Sequence, residues 1–241
     1  MPAVRLLPFE TLPGPAQMAA DEAMLHTAAE RGVASLRFYA WSEPTVSLGY
    51  FQPAADRAGF PLPWVRRATG GAALVHHHEL TYALALPPGR DWHDPGRNWT
   101  CRMHHTIRDA LAPRGVRLRA VVCGEEKKLG PVLCFLHQTP GDLLCDGAKV
   151  VGSAQRKQKG AVLQHGGILL RRSEFAPALA GVAELSGVDL SADEVMRAVA
   201  GRFAADTGWP LEPGEWTADD LARRAEVGRD KYAAAAWNDK R

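Results

Sequence analysis

The stretch GDLLCDGAKVVGSAQRKQKGAVLQHGGILL, Gly141 to Leu170, decides the fold. Asp146-Gly147 lies between two apolar runs, and this dipeptide accepts the positive φ angles of a two-residue type I′ hairpin. That turn places Cys145 opposite Ala148, Leu144 opposite Lys149 and Asp142 opposite Val151. Side chains alternate between faces, so Lys149 is expected to share a face with Asp142, Leu144, Val151 and Ser153, with Cys145 on the other. A basic loop, Arg156-Lys157-Gln158-Lys159, is then expected before a third strand from Ala161 to Leu170.

Outward from this hairpin the chain alternates between helical and strand signals. Pro15 in a first turn, the apolar positions Met18, Ala19, Met24, Leu25 and Ala29, and then Gly32 predict a helix with proper ends. SLRFYAW (Ser35 to Trp41) and TVSLGYF (Thr45 to Phe51) read as strands broken at Ser42-Glu43-Pro44. WVRRATGG runs from strand into loop, with strand-like residues again at 73–75 and 80–86. Met103, Ile107 and Leu111 mark a helix ending before Pro113. VRLRAVV (Val116 to Val122) alternates as a half-buried strand. Ser191 with Glu194 makes a capping box above the stripe Val195, Val199 and Phe203, and Thr217 with Asp220 begins a last helix reaching toward Trp237. Strands with helices at both ends give an α+β class.

At 241 residues the chain can bury a substantial core, and residues 1–241 are expected to form a single domain. The net charge of +2 offers no argument for nucleic acid or membrane partners. No run approaches the length of a membrane span, and the prolines and acid of MPAVRLLPFETLPGP do not fit a signal peptide, so a soluble cytoplasmic protein is expected. Cys101, Cys123, Cys134 and Cys145 form no CxxC pair, which argues against a zinc site or a disulfide framework.

Two groups of residues carry chemistry. Arg66-Arg67 precede the Thr69-Gly70-Gly71 turn, where backbone N–H groups can converge on an anion or a polarised carbonyl. Lys149, followed by Gly152-Ser153, can supply a fixed positive charge. Together they point to a site for activated acyl groups. Of His76, His77 and His78, alternation puts only His76 and His78 on one face, with no third ligand indicated; no metal is expected, and His76 reads as a structural or pocket-lining residue. Cys134 lies in the proline-bounded segment PVLCFLHQTP, which the sequence leaves free to fold back over the hairpin.

These residues resemble the lipoate–protein ligase and octanoyltransferase superfamily, related more distantly to biotin–protein ligases. MAADEAML (Met18 to Leu25), the Pro44 to Gly49 strand, RRATGG with His76 and ELTY, GAKVVGSAQ and LQHGGILL occur in the family's order. The resemblance implies a biotin/lipoyl ligase-like mixed β-sheet core flanked by helices. Cys134-Phe135 is similar to the pair in cysteine-dependent octanoyltransferases, and Lys149 matches the lysine that ligases and transferases both keep. The implied reaction moves an octanoyl or lipoyl group from acyl carrier protein or a lipoylated carrier, through a Cys134 thioester, to a lysine of a lipoyl domain or glycine-cleavage H protein, with no cofactor. Arg67, Thr69, Gly70, Gly71, His76, Gly152, Ser153 and His165 are the implied substrate-binding set. The alternative is a short-form lipoate ligase that uses ATP and Mg through a lipoyl-adenylate, with Cys134 incidental. A non-catalytic relative that binds carrier domains is the third class. Ala72, where a third glycine or an arginine is common, and the triple histidine depart from the pattern.

The acceptor sets the harder chemical problem. A lysine with a pKa of about 10.4 is neutral only about 0.04% of the time at pH 7, at a cost of roughly 4.6 kcal/mol. Lys149 in neutral form and His165 are the candidate bases, and the residues alone do not choose between them.

Overall fold

The structure is a computed structural model that describes residues 2–93, 96 and 98–241. The chain begins with two short strands, β1 (Val4–Leu6) and β2 (Glu10–Leu12), and a long helix, α1 (Gly14–Arg31). Pro in the first turn opens α1, and Gly32, in the left-handed region at φ 68°, closes it. Strands β3 (Ala34–Trp41), β4 (Thr45–Leu48), β5 (Trp64–Arg66), β6 (Leu74–His76) and β7 (Glu79–Leu86) follow. Helix α2 (Trp99–Leu111) starts where the Asn98 side chain accepts the Thr100 N–H. Next come β8 (Arg119–Ala120), β9 (Lys127–Lys128), β10 (His137–Gln138) and the hairpin β11 (Leu143–Cys145) to β12 (Ala148–Gln158), then β13 (Ala161–Leu169). The chain finishes with α3 (Val182–Ser186), α4 (Ala192–Thr207), β14 (Leu211–Pro213), α5 (Ala218–Val227) and, after a π-helical turn, α6 (Ala235–Asn238).

Among the described residues, nine strands make one mixed sheet in the order β14-β1-β3-β7-β13-β12-β11-β8, with β2 alongside β3. The pairs β14/β1, β1/β3 and β2/β3 run parallel and the remaining pairs run antiparallel. Strand β4 stands outside it, between β5 and β6, in a separate three-stranded sheet. The α+β expectation holds.

The large sheet has an apolar layer on each face. On one, Leu36, Phe38, Leu80, Tyr82, Leu84, Leu143, Cys145 and Val151 pack against α2 and α4 through Met103, Ile107, Val195, Val199 and Phe203. Each such side chain contributes about 1.5–3 kcal/mol on full burial. On the other face Met18, Met24, Leu25, Tyr39, Trp41, Ala83 and Leu163 pack together, so α1 covers that side. A third cluster joins the small sheet to the cysteine segment through Val46, Leu48, Val75, Leu133 and Phe135. Among the described residues no helix is long and apolar enough to cross a membrane.

Three sequence expectations need correction. Leu144 pairs with Lys149 as expected, but Leu143, not Asp142, pairs with Val151, because a bulge inserts Val150 into β12. Val151 and Ser153 therefore turn toward α2, and Lys149 shares its face with Gly152 and Ala154. Second, Arg156, Lys157 and Gln158 belong to β12, so only Lys159-Gly160 form the turn, both at positive φ. Third, of 116–122 only Arg119–Ala120 pair as a strand, since their partner β11 is itself three residues long.

Candidate active site

The Asp146-Gly147 turn adopts the positive φ angles expected of it, 43° and 79°. It sends β12 back beside β11, and Lys149 enters a buried socket. Its ammonium forms an ion pair with the Asp142 carboxylate at 2.7 Å and donates to the His137 carbonyl at 3.0 Å. Its remaining direction faces Cys134, whose carbonyl lies at 3.4 Å and whose sulfur lies at 3.6 Å from Nζ. Asp142 is held in turn, because the N–H and hydroxyl of Thr139 donate to its Oδ2 at 2.8 and 2.9 Å. Cys145 lies in the apolar layer on the opposite face.

Cys134 sits on a single 3-10 turn, half-buried. The segment before it is fastened to the glycine loop: the Cys134 N–H donates to the Ala73 carbonyl at 2.7 Å, and the Ala73 N–H to Val132 at 3.0 Å. Two arginines with different tasks shape that loop. Arg67 turns inward, giving one nitrogen to the Ser47 carbonyl and hydroxyl (2.7 and 2.6 Å) and the other to the carbonyls of Gly70 (3.1 Å) and Ala72 (3.0 Å). Burial pulls its pKa down to about 10, opposed by the negative charge available at Cys134. Arg66 turns the other way and donates to the carbonyls of Asn238, Gly49 and Gln52. Gly49 and Gly71 lie against each other, and a Cβ on Gly49 would stand 1.8 Å from the Gly71 oxygen. Gly71 itself takes φ 90°, where a side chain is strained.

The two histidines on this side of the sheet are fully committed. His165 gives Nδ1 to the Asp21 carboxylate at 2.7 Å, and Nε2 lies 2.7 Å from the Thr69 hydroxyl. A carboxylate only accepts, so Nδ1 carries the proton, and in the neutral ring Nε2 accepts from Thr69. His76 bonds Glu79 through Nδ1 and Ser47 through Nε2 (2.6 Å), and it stacks on Trp41 at 3.7 Å. Burial pushes the His76 pKa down, which favours the neutral ring. His77 and His78 stack on each other away from this network. Among the described residues no group of three or more His, Cys, Asp or Glu is placed to hold a metal ion.

These groups surround a narrow cleft. Arg67, Gly71, His76, Cys134, Gly152, Ser153 and His165 all line it, joined by an apolar wall of Met18, Tyr39, Trp41 and Leu74. Lys149 reaches it through Cys134 and Gly152. Ser153 contributes to the lining, yet its hydroxyl points toward α2, 2.6 Å from both Tyr82 and His104. Asp142, Asp21, Glu79 and Ser47 carry no role that the sequence alone shows. The hairpin brings Asp142 near Lys149, 7 residues on, but Asp21 meets His165 from 144 residues away, which no local pattern reveals.

A cysteine and a lysine thus meet at the edge of the cleft. Residues 13–204 match the family described as the lipoyl protein ligase A/B catalytic domain. The chain is 34% identical to an octanoyltransferase LipM of Kyrpidia tusciae, across 92% of this chain and 93% of that one. It is 33% identical to the LipM of Symbiobacterium thermophilum, across 97% of each. Among solved structures, a putative lipoate protein ligase of T. acidophilum with bound lipoic acid superposes over the whole of both chains with a TM-score of 0.81 at 23% identity. A lipoate-protein ligase A bound with ATP gives 0.78 at 24%, over 99% of this chain and 98% of that one. Fold, motif order and full-length similarity agree: the chain belongs to the lipoyl protein ligase A/B catalytic domain family.

Proposed function

We propose that the protein is an octanoyltransferase that carries its acyl group on Cys134. The observation that carries this reading is the 3.6 Å approach of the Cys134 sulfur to the Lys149 ammonium at the edge of the cleft, supported by full-length similarity to octanoyltransferases. A free thiol is only roughly 3% thiolate at pH 7. A fixed ammonium beside the sulfur steadies the charge that develops on the thioester oxygen. Octanoyl acyl carrier protein is the donor, and a lysine of a lipoyl domain or glycine-cleavage H protein is the acceptor. Passage from thioester to amide is downhill and draws on no nucleotide.

Met18, Tyr39, Trp41 and Leu74 offer the tail its apolar wall. Complete burial of an octanoyl chain is worth about 5–6 kcal/mol, an affinity on the order of 0.1 mM. Docking of the carrier supplies the rest. Incubation with octanoyl acyl carrier protein, without ATP, is expected to leave a hydroxylamine-sensitive octanoyl adduct on the protein by intact mass. Cys134→Ser abolishes both the adduct and transfer. A serine variant that still transfers at the wild-type rate, or a strict need for ATP, sinks the reading.

A further inference from the structure

The amine that attacks the acyl-enzyme must lose a proton, and neither base candidate read from the sequence is free to take it. Lys149 holds its ammonium against Asp142 and the His137 carbonyl with its last direction toward Cys134. His165 has one nitrogen on Asp21 and the other on Thr69. Asp142 differs. Both of its hydrogen bonds, from the Thr139 N–H and hydroxyl, and its ion pair with Lys149 fall on Oδ2. Among the described residues nothing donates to Oδ1. That oxygen lies over Gly152, a residue of the cleft lining, 3.6 Å from where a Cβ would be. The same Cβ position is 3.0 Å from the Lys149 nitrogen, so Oδ1 and the ammonium both lie over one uncovered glycine.

Building on the transferase reading, we infer that Asp142 is the catalytic group that receives the proton of the acceptor amine. The acceptor lysine arrives as its ammonium and gives one proton to Asp142 Oδ1, which frees the nitrogen lone pair to attack the thioester carbon. The C–N bond forms, the carbonyl reforms, and the C–S bond breaks with its electron pair on sulfur beside Lys149, where the second proton from nitrogen arrives. One ammonium and one thioester become one amide, one thiol and one proton, which leaves Asp142 for solvent and returns it as carboxylate. Oδ2 stays with Lys149 and Thr139 throughout, so the carboxylate does not rotate away.

The test separates the two halves of the reaction. Enzyme loaded from octanoyl acyl carrier protein is mixed in single turnover with an unmodified lipoyl domain, or with hydroxylamine, whose nitrogen is already neutral at pH 7. Asp142→Asn also loosens Lys149 and so slows loading and hydroxamate release alike, and transfer to the lysine is expected to fall by a further factor of about 10² or more relative to hydroxamate release, the usual worth of a general base. Thr139→Ala, which leaves Oδ1 in place, is expected to keep lysine transfer within about 5-fold. Equal losses with both nucleophiles, or no loss with either, overturn the inference. If Asp142→Asn does not fold by circular dichroism, Asp142→Glu is read by the same ratio, and an unchanged ratio overturns it. Wild-type enzyme that never acquires an adduct refutes the transferase reading itself, a result visible before any acceptor is added.

Discussion

Gly152 shows how a single missing methyl group governs the site. A Cβ there would stand 2.6 Å from Lys149 Cε and 3.0 Å from Nζ. The backbone tolerates alanine, since Gly152 is not among the positive-φ residues. The atoms in the way are the end of a flexible side chain, which yields at small cost to stability. Lys149 yields, however, only by leaving its position beside Cys134. Gly152→Ala is therefore expected to shift Tm by no more than a few degrees while octanoyl transfer drops by about 10-fold or more, as small misplacements of a catalytic group do. Rates and melting curves of the purified variant check this; an unchanged rate means that the ammonium is not needed where it stands. The sequence made Lys149 and Cys134 legible through their motifs. It left Asp142 as a mere neighbour of Lys149, because the free lone pairs of one carboxylate oxygen have no signature in a string of residues.

Elements with local causes were readable, and those with distant causes were not. The cap and stop of α1, the type I′ turn at Asp146-Gly147 and the capping box at Ser191 each arise within a few residues. The bulge at Val150 does not: Lys-Val-Val keeps an unremarkable strand composition, and only the packing of Val150 and Val151 together against the α2 layer selects the shifted register. Charge misled the reading of 156–159 as a loop, since Arg156 continues β12 and donates to the Ala68 carbonyl at 3.0 Å. Helix α4 offers a control on these statements. Its Ser191 hydroxyl accepts the Glu194 N–H at 3.2 Å, and the Glu194 carboxylate accepts the Ser191 N–H at 2.9 Å. Removing the cap in Ser191→Ala is expected to cost about 1 kcal/mol, roughly 2–4 °C in Tm for a chain of this size. Because α4 lies across the sheet from the cleft, kcat and KM are expected to stay at wild-type values. A fall in kcat at the assay temperature would mean that the α2–α4 layer transmits strain to the cleft.

Across the whole molecule, the buried ionisable groups whose pKa values move point the same way for acid stability. His104 stands fully buried between α2 and the sheet, its Nδ1 donating to the Gly141 carbonyl and its Nε2 facing the Ser153 hydroxyl, both at 2.6 Å. Burial, foremost, pushes its pKa down to about 4, with Lys149 and His105 adding to the same direction against the Gly141 hydrogen bond and Asp142. His76 is lowered by burial as well. Glu22 is drawn down to about 2 by His26, Lys231 and Tyr232 despite the burial that raises it. Each of these groups has a folded pKa below its unfolded value, so the unfolded chain binds more protons as the pH falls. The stability at stake is complete above the unfolded values and is lost as pH drops through the folded ones. For His104 the window runs from 6.5 to about 4. At about 1.4 kcal/mol per pH unit the loss approaches about 3 kcal/mol. Glu22 extends the decline from 4.5 toward about 2. His104→Gln keeps an amide N–H for Gly141 and an oxygen for Ser153 but binds no proton. Tm measured from pH 7 to pH 4 is expected to fall more gently in that variant than in wild type, with the two curves diverging below pH 6.5. Parallel curves would mean that His104 takes up its proton within the folded protein, and that the neutral ring on which the Gly141–Asp142 turn rests is not maintained.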